Sequence, residues 1–150
     1  MGICSSGPTS VENPSSGPVD IESEDGPPLD IISLESEIND VRFIRELICE
    51  MKDDIGVKMI SLRSSLLVSD FDRVIIAAHS IKGIALSMKC NHIAKSSSRV
   101  EQICIGLSRG SPGVEKPDLC KEMLNLNTAV EEFYAFHAEY MHKNHVISGA

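Results

Sequence analysis

Apolar residues spaced three or four apart recur along this chain from about residue 31 almost to its end, and this spacing is its strongest constraint. No stretch alternates apolar and polar residues over a strand's length, and glycine and proline nearly vanish between residue 29 and Gly106. The pattern predicts an all-α fold. A short helix is expected over residues 31–37. A longer one begins near Asp40, a good N-cap, with Val41, Ile44, Leu47, Ile48 and Met51 on one face. Gly56 falls inside this pattern, as a break or as a tolerated interruption, and Val57, Ile60 and Leu67 continue it.

Ser69-Asp70 is expected to cap a third helix carrying the apolar run from Val74 to Met88, and a fourth is expected from about Asn91 to Leu107. Gly106 to Pro117, with three glycines and two prolines, reads as a loop. Asp118 then caps a last helix to about His142, with Leu119, Met123, Leu126, Val130, Phe133 and Phe136 aligned. Four substantial amphipathic helices with mostly short connections predict an antiparallel four-helix bundle with a short extra N-terminal helix.

The first 28 residues differ in kind. Residues 1–30 hold six acidic residues, no lysine or arginine, and five of the seven prolines. With few large apolar residues, this segment cannot bury enough surface to offset the entropy of ordering it. It is expected to be a disordered acidic tail over residues 1–28, ahead of one domain over residues 29–145. From residue 31 onward the charge is nearly balanced, 16 acidic against 14 basic residues. No basic stripe of the kind that binds nucleic acid is visible.

Five cysteines (Cys4, Cys49, Cys90, Cys104 and Cys120) show no CxxC spacing. Those inside helical stretches (Cys49, Cys90 and Cys104) read as small apolar residues. The start lacks a basic region followed by an apolar run, and no apolar stretch approaches the roughly 20 residues of a membrane span. A cytoplasmic or nuclear location is the expectation.

The candidate chemistry lies in the third helix. On a wheel of about 100° per residue, Val74, Ala77, Ala78, Ile81, Ile84, Ala85 and Met88 form one broad stripe. His79 points away from it, almost opposite its centre, and so is expected to be exposed. A lone helical histidine is more often a surface residue with no role, but the context here is specific. Gly83 lies one turn on, on the same face. A glycine inside a helix costs about 1 kcal/mol relative to alanine, so an offsetting benefit is expected, namely open access to the imidazole. Lys82 lies three residues on, near enough to place an ammonium beside a phosphoryl group on the ring. Ile75, Ile76 and Leu86 flank the histidine and suggest a partner-docking patch; the alternative is that they pack beneath another segment. An imidazole is largely neutral near pH 7 and can act as a nucleophile.

The segment His79-Ser80-Ile81-Lys82-Gly83, preceded by Asp70-Phe71 and followed by a helix ending in Val100-Glu101, resembles the phosphohistidine motif of histidine-containing phosphotransfer (HPt) domains. A looser similarity runs from Leu29-Asp30 through Phe43-Ile44-Arg45-Glu46-Leu47 to the last helix. The resemblance implies that His79 accepts a phosphoryl group on Nε2 from a phospho-aspartyl receiver domain and passes it to another receiver. Lys82 would assist electrostatically and Gly83 would clear the approach. It also implies a carrier rather than an enzyme, with no cofactor of its own, Mg²⁺ belonging to the receiver; no Gly-rich phosphate loop is visible. Receiver domains, including those of hybrid histidine kinases, would be the partners. The chain departs from the family after the Lys-Gly pair. Ile84, Ala85 and Leu86 stand where small or polar residues are usual, and Lys89 stands where a glycine is usual, which predicts a third helix that runs on before turning.

Other signals are weaker. Met1-Gly2-Ile3-Cys4-Ser5-Ser6 fits a myristoylation pattern, with Gly2 as acceptor and Cys4 as a palmitoylation site; stable membrane anchoring would need both. His92, His137, His142 and His145 lack the grouping of a metal site. Ser96, Ser97 and Ser98 read as a solvent-facing polar run. The competing functional readings are a non-catalytic helical adaptor that docks partners through Ile75, Ile76 and Leu86, and a phosphotransfer domain separated from a histidine kinase.

Overall fold

The computed structural model describes residues 26–149, with side chains for residues 26–143. The expected tail, and with it Gly2 and Cys4, lies almost wholly outside the described residues. Five helices follow in order: α1 (Ile31–Ile38), α2 (Val41–Leu67), α3 (Phe71–Ser87), α4 (Asn91–Arg109) and α5 (Lys116–Gly149). No strand occurs among the described residues.

Local chemistry explains where the helices start. Asp30, Asp40 and Asp70 each accept the backbone N–H three residues on, from Ser33 at 3.2 Å, Phe43 at 3.1 Å and Arg73 at 3.3 Å. Such a cap contributes about 1 kcal/mol. α2 runs unbroken through Gly56, where a β-carbon would stand 3.5 Å from the Tyr134 hydroxyl, an ordinary contact.

The expectation that α3 runs on before turning is corrected by the structure, where α3 ends at Ser87. Lys89 itself takes the left-handed conformation, at φ 59°. Its N–H bonds back to the Leu86 carbonyl and that of Cys90 to the Ala85 carbonyl, so the helix stops as it would at a glycine. The α2–α3 turn repeats this arrangement with Ser69 at φ 55°.

Three further boundaries differ from expectation. α4 runs to Arg109, so Gly106 is a buried helical residue, and because a β-carbon there would lie 2.9 Å from Val114, glycine lets the returning chain pack on the helix. Pro117 lies in the first turn of α5, where a missing N–H costs nothing. Asp118 lies in that turn too and accepts the Glu115 N–H at 3.2 Å, closing it from within. α5 also continues past His142 to Gly149.

The long helices form a bundle: α2 packs on α3, α3 on α4, α4 on α5 and α5 on α2, while α1 lies against α2. Leu29, Ile48, Ile55, Leu62, Ile81, Ile93, Leu126 and Phe133 are among the fully buried side chains. The α3–α4 pairing is the most extensive. Both helices bury small residues: Ala77, Ala78 and Ala85 on α3, and Ala94, Ser96 and Ser97 on α4. The serine run therefore does not face solvent as expected. The Ser97 hydroxyl donates to the Ile93 carbonyl at 2.6 Å, which satisfies it inside the core. No helix among the described residues is long and apolar enough to cross a membrane.

Candidate functional site

Rotation of α3 about its axis is set by Val74, Ala77, Ala78, Ile81 and Ala85, all turned into the core. His79 consequently faces out, with its side chain 68% exposed. α4 runs beside it with Ile93, Ala94, Ser97, Val100 and Cys104 turned inward. Glu101 belongs to this same inward stripe, and its side chain is only 10% exposed.

A buried carboxylate is costly unless it is paired. Glu101 is paired twice, both times with α3. Its Oε2 lies 2.9 Å from Nδ1 of His79, and its Oε1 lies 3.0 Å from Nζ of Lys82. Burial pushes the Glu101 carboxyl up. The ion pair with Lys82 and the hydrogen bond from His79, together with their charges, more than offset this and hold it below its ordinary value.

An ionised carboxylate can only accept, so the His79 Nδ1–H donates to it and the ring proton resides on Nδ1. A neutral imidazole in that tautomer presents its lone pair at Nε2. The pairing of α3 with α4 thus holds an outward-facing imidazole from behind with an anion.

Lys82 has a more definite position than spacing alone suggests. Its side chain is 25% exposed and its ammonium is engaged by Glu101, so it is not a free cation beside the ring. Gly83 is exposed, and a β-carbon there would meet nothing within 4 Å. The protein's own packing therefore does not require glycine at this position. Ile76 and Leu86 are 68% and 57% exposed, while Ile75 is partly buried against the core. The three do not form one equally exposed patch.

Glu101 is the site residue that sequence reasoning missed, although a signal was present. It stands four residues after Ser97 and eight after Ile93, in the register of the buried stripe, where a carboxylate demands a cationic partner. Among the described residues, no group of histidine, cysteine, aspartate or glutamate side chains could hold a metal ion. His92 pairs with Glu132 of α5 at 3.5 Å, and the side chain of His145 lies outside the described residues. In comparison with known proteins, no family model, no curated protein and no solved structure matches this chain.

Proposed function

We propose that this protein is a phosphorelay intermediate of the HPt kind, built on an antiparallel four-helix arrangement, in which Nε2 of His79 carries the phosphoryl group. The observation that carries this reading is the hydrogen bond between Glu101 and Nδ1 of an outward-facing His79. In the reaction, the Nε2 lone pair attacks the phosphorus of a receiver's aspartyl phosphate. The acyl-phosphate P–O bond breaks and the receiver regains its carboxylate. The ring, still protonated at Nδ1, becomes cationic as the P–N bond forms. Glu101 stabilises that charge while holding the tautomer and the orientation of the ring.

Lys82 neutralises the other carboxylate oxygen and so keeps an anion under the ring without leaving it unpaired. Gly83 supports the same reading from the partner's side. A helical glycine that no contact within the chain requires fits a surface approached by another protein. Exposed Ile76 and Leu86 supply apolar area for such a docking. Chemistry beyond positioning, Mg²⁺ included, would be the receiver's.

The experiment is transfer from a receiver phosphorylated on aspartate to the purified protein. Label that moves, is acid-labile and base-stable, and is absent in a folded His79→Gln variant is the expected result. If several receivers bind the folded protein but none transfers, the relay reading fails and the adaptor reading takes its place.

A further inference from the structure

The seam between α2 and α5 holds a second pair of chemically complementary groups, which shares no residue with the His79 site. Cys49 on α2 is exposed, and its sulfur lies 3.6 Å from Nε2 of His137 on α5. Lys52, one turn along α2, adds positive charge to this seam, with its ammonium 5.3 Å over the Tyr134 ring. Burial, assisted by Lys52 and opposed by Asp53, holds the His137 imidazole below its ordinary value, so the ring beside the thiol is mainly neutral near pH 7, though a weaker base than a free imidazole.

We propose that Cys49 and His137 form a thiol–imidazole pair that makes Cys49 a site of reversible mixed-disulfide formation with a small-molecule disulfide of the glutathione class. The Cys49 thiol passes its proton to Nε2 of His137 as the sulfur attacks one sulfur of the incoming disulfide. The S–S bond of that molecule breaks and a new one forms to Cys49. The released half departs as a thiolate and recovers the proton from the imidazolium. Cys49 is oxidised and the released half is reduced, so the incoming disulfide is the only oxidant needed, and a reducing thiol reverses the exchange.

The other thiols provide internal references. Cys90 and Cys104 are buried, and burial pushes them up to about 12 and about 11, which leaves them unreactive. Cys120 is exposed like Cys49 but has no imidazole beside it among the described residues.

The test uses the full chain incubated with glutathione disulfide, quenched with acid, and mapped by non-reducing peptide mass spectrometry. Cys49 is expected to gain the adduct on the order of tenfold faster than Cys120 in the unaltered protein, and His137→Gln is expected to remove that advantage. Equal rates at Cys49 and Cys120 in the unaltered protein would overturn the proposal without recourse to a variant. An undiminished Cys49 rate in a folded His137→Gln protein would overturn it as well.

Discussion

Glu101 of α4 holds its carboxylate 2.9 Å from Nδ1 of His79 on α3, so an almost fully buried anion orients an outward-facing imidazole. The bond crosses the most extensive helix pairing of the bundle, that of α3 with α4. Packing and chemistry are thereby joined, because whatever loosens α3 against α4 also releases the imidazole.

Glu101→Gln keeps the shape but removes the charge. Phosphotransfer should fall about ten- to a hundredfold, as is typical when the group behind a functional histidine is lost. Stability at neutral pH should fall by about 1–2 kcal/mol, below the full cost of breaking a buried ion pair because Lys82 is partly exposed. Since the folded-state carboxyl is held below its ordinary value, its contribution is present above the unfolded value and is lost as pH falls through the folded one. Urea titrations at neutral and acid pH should therefore show the gap between Glu101→Gln and the unaltered protein narrowing toward acid.

Gly83→Ala separates stability from function. Nothing in the protein obstructs the added methyl group, so helix propensity should make the variant more stable by about 0.5–1 kcal/mol. If a partner approaches over this turn, the same variant should transfer phosphate more slowly. Denaturation and transfer assays on one preparation measure both effects.

Gly106→Ala should act in the opposite direction. Its β-carbon would press on Val114, and overpacking of this kind costs about 1–3 kcal/mol. Combining it with Val114→Ala should recover part of the loss, a coupling that a double-mutant cycle reads directly.

Lys89→Gly should raise stability by about 0.5 kcal/mol. The relief of a left-handed lysine is offset in part by the loss of its ion pair with Glu37 at 3.3 Å, which is largely exposed and worth little. Thermal unfolding of the single variant measures the balance.

Most of the fold was legible because its signals are local. Asp40 and Asp70 each announce a helix through one side chain and one N–H, and the stripe from Val74 to Ala85 announces which way α3 faces. His79 was legible for the same reason, since its exposure follows from that stripe. Boundaries set by contacts distant in sequence were not. Gly106 reads as a loop glycine until Val114 is seen folded over it, and Pro117 fits a loop as well as a helical first turn. The serines at 96 and 97 read as solvent-facing until their burial in the bundle is known. Glu101 lay in the buried register in plain view, but only the arrangement of α4 beside α3 pairs it with residues some twenty positions earlier.

The location of the phosphoryl group tests the central claim most directly. The protein, phosphorylated by a phospho-receiver, can be examined by ³¹P NMR and by proton correlation to the imidazole ring. With Nδ1 engaged by Glu101, the phosphorus should be bonded to Nε2 of His79. Phosphorus on Nδ1, or on any residue other than His79, would contradict the account.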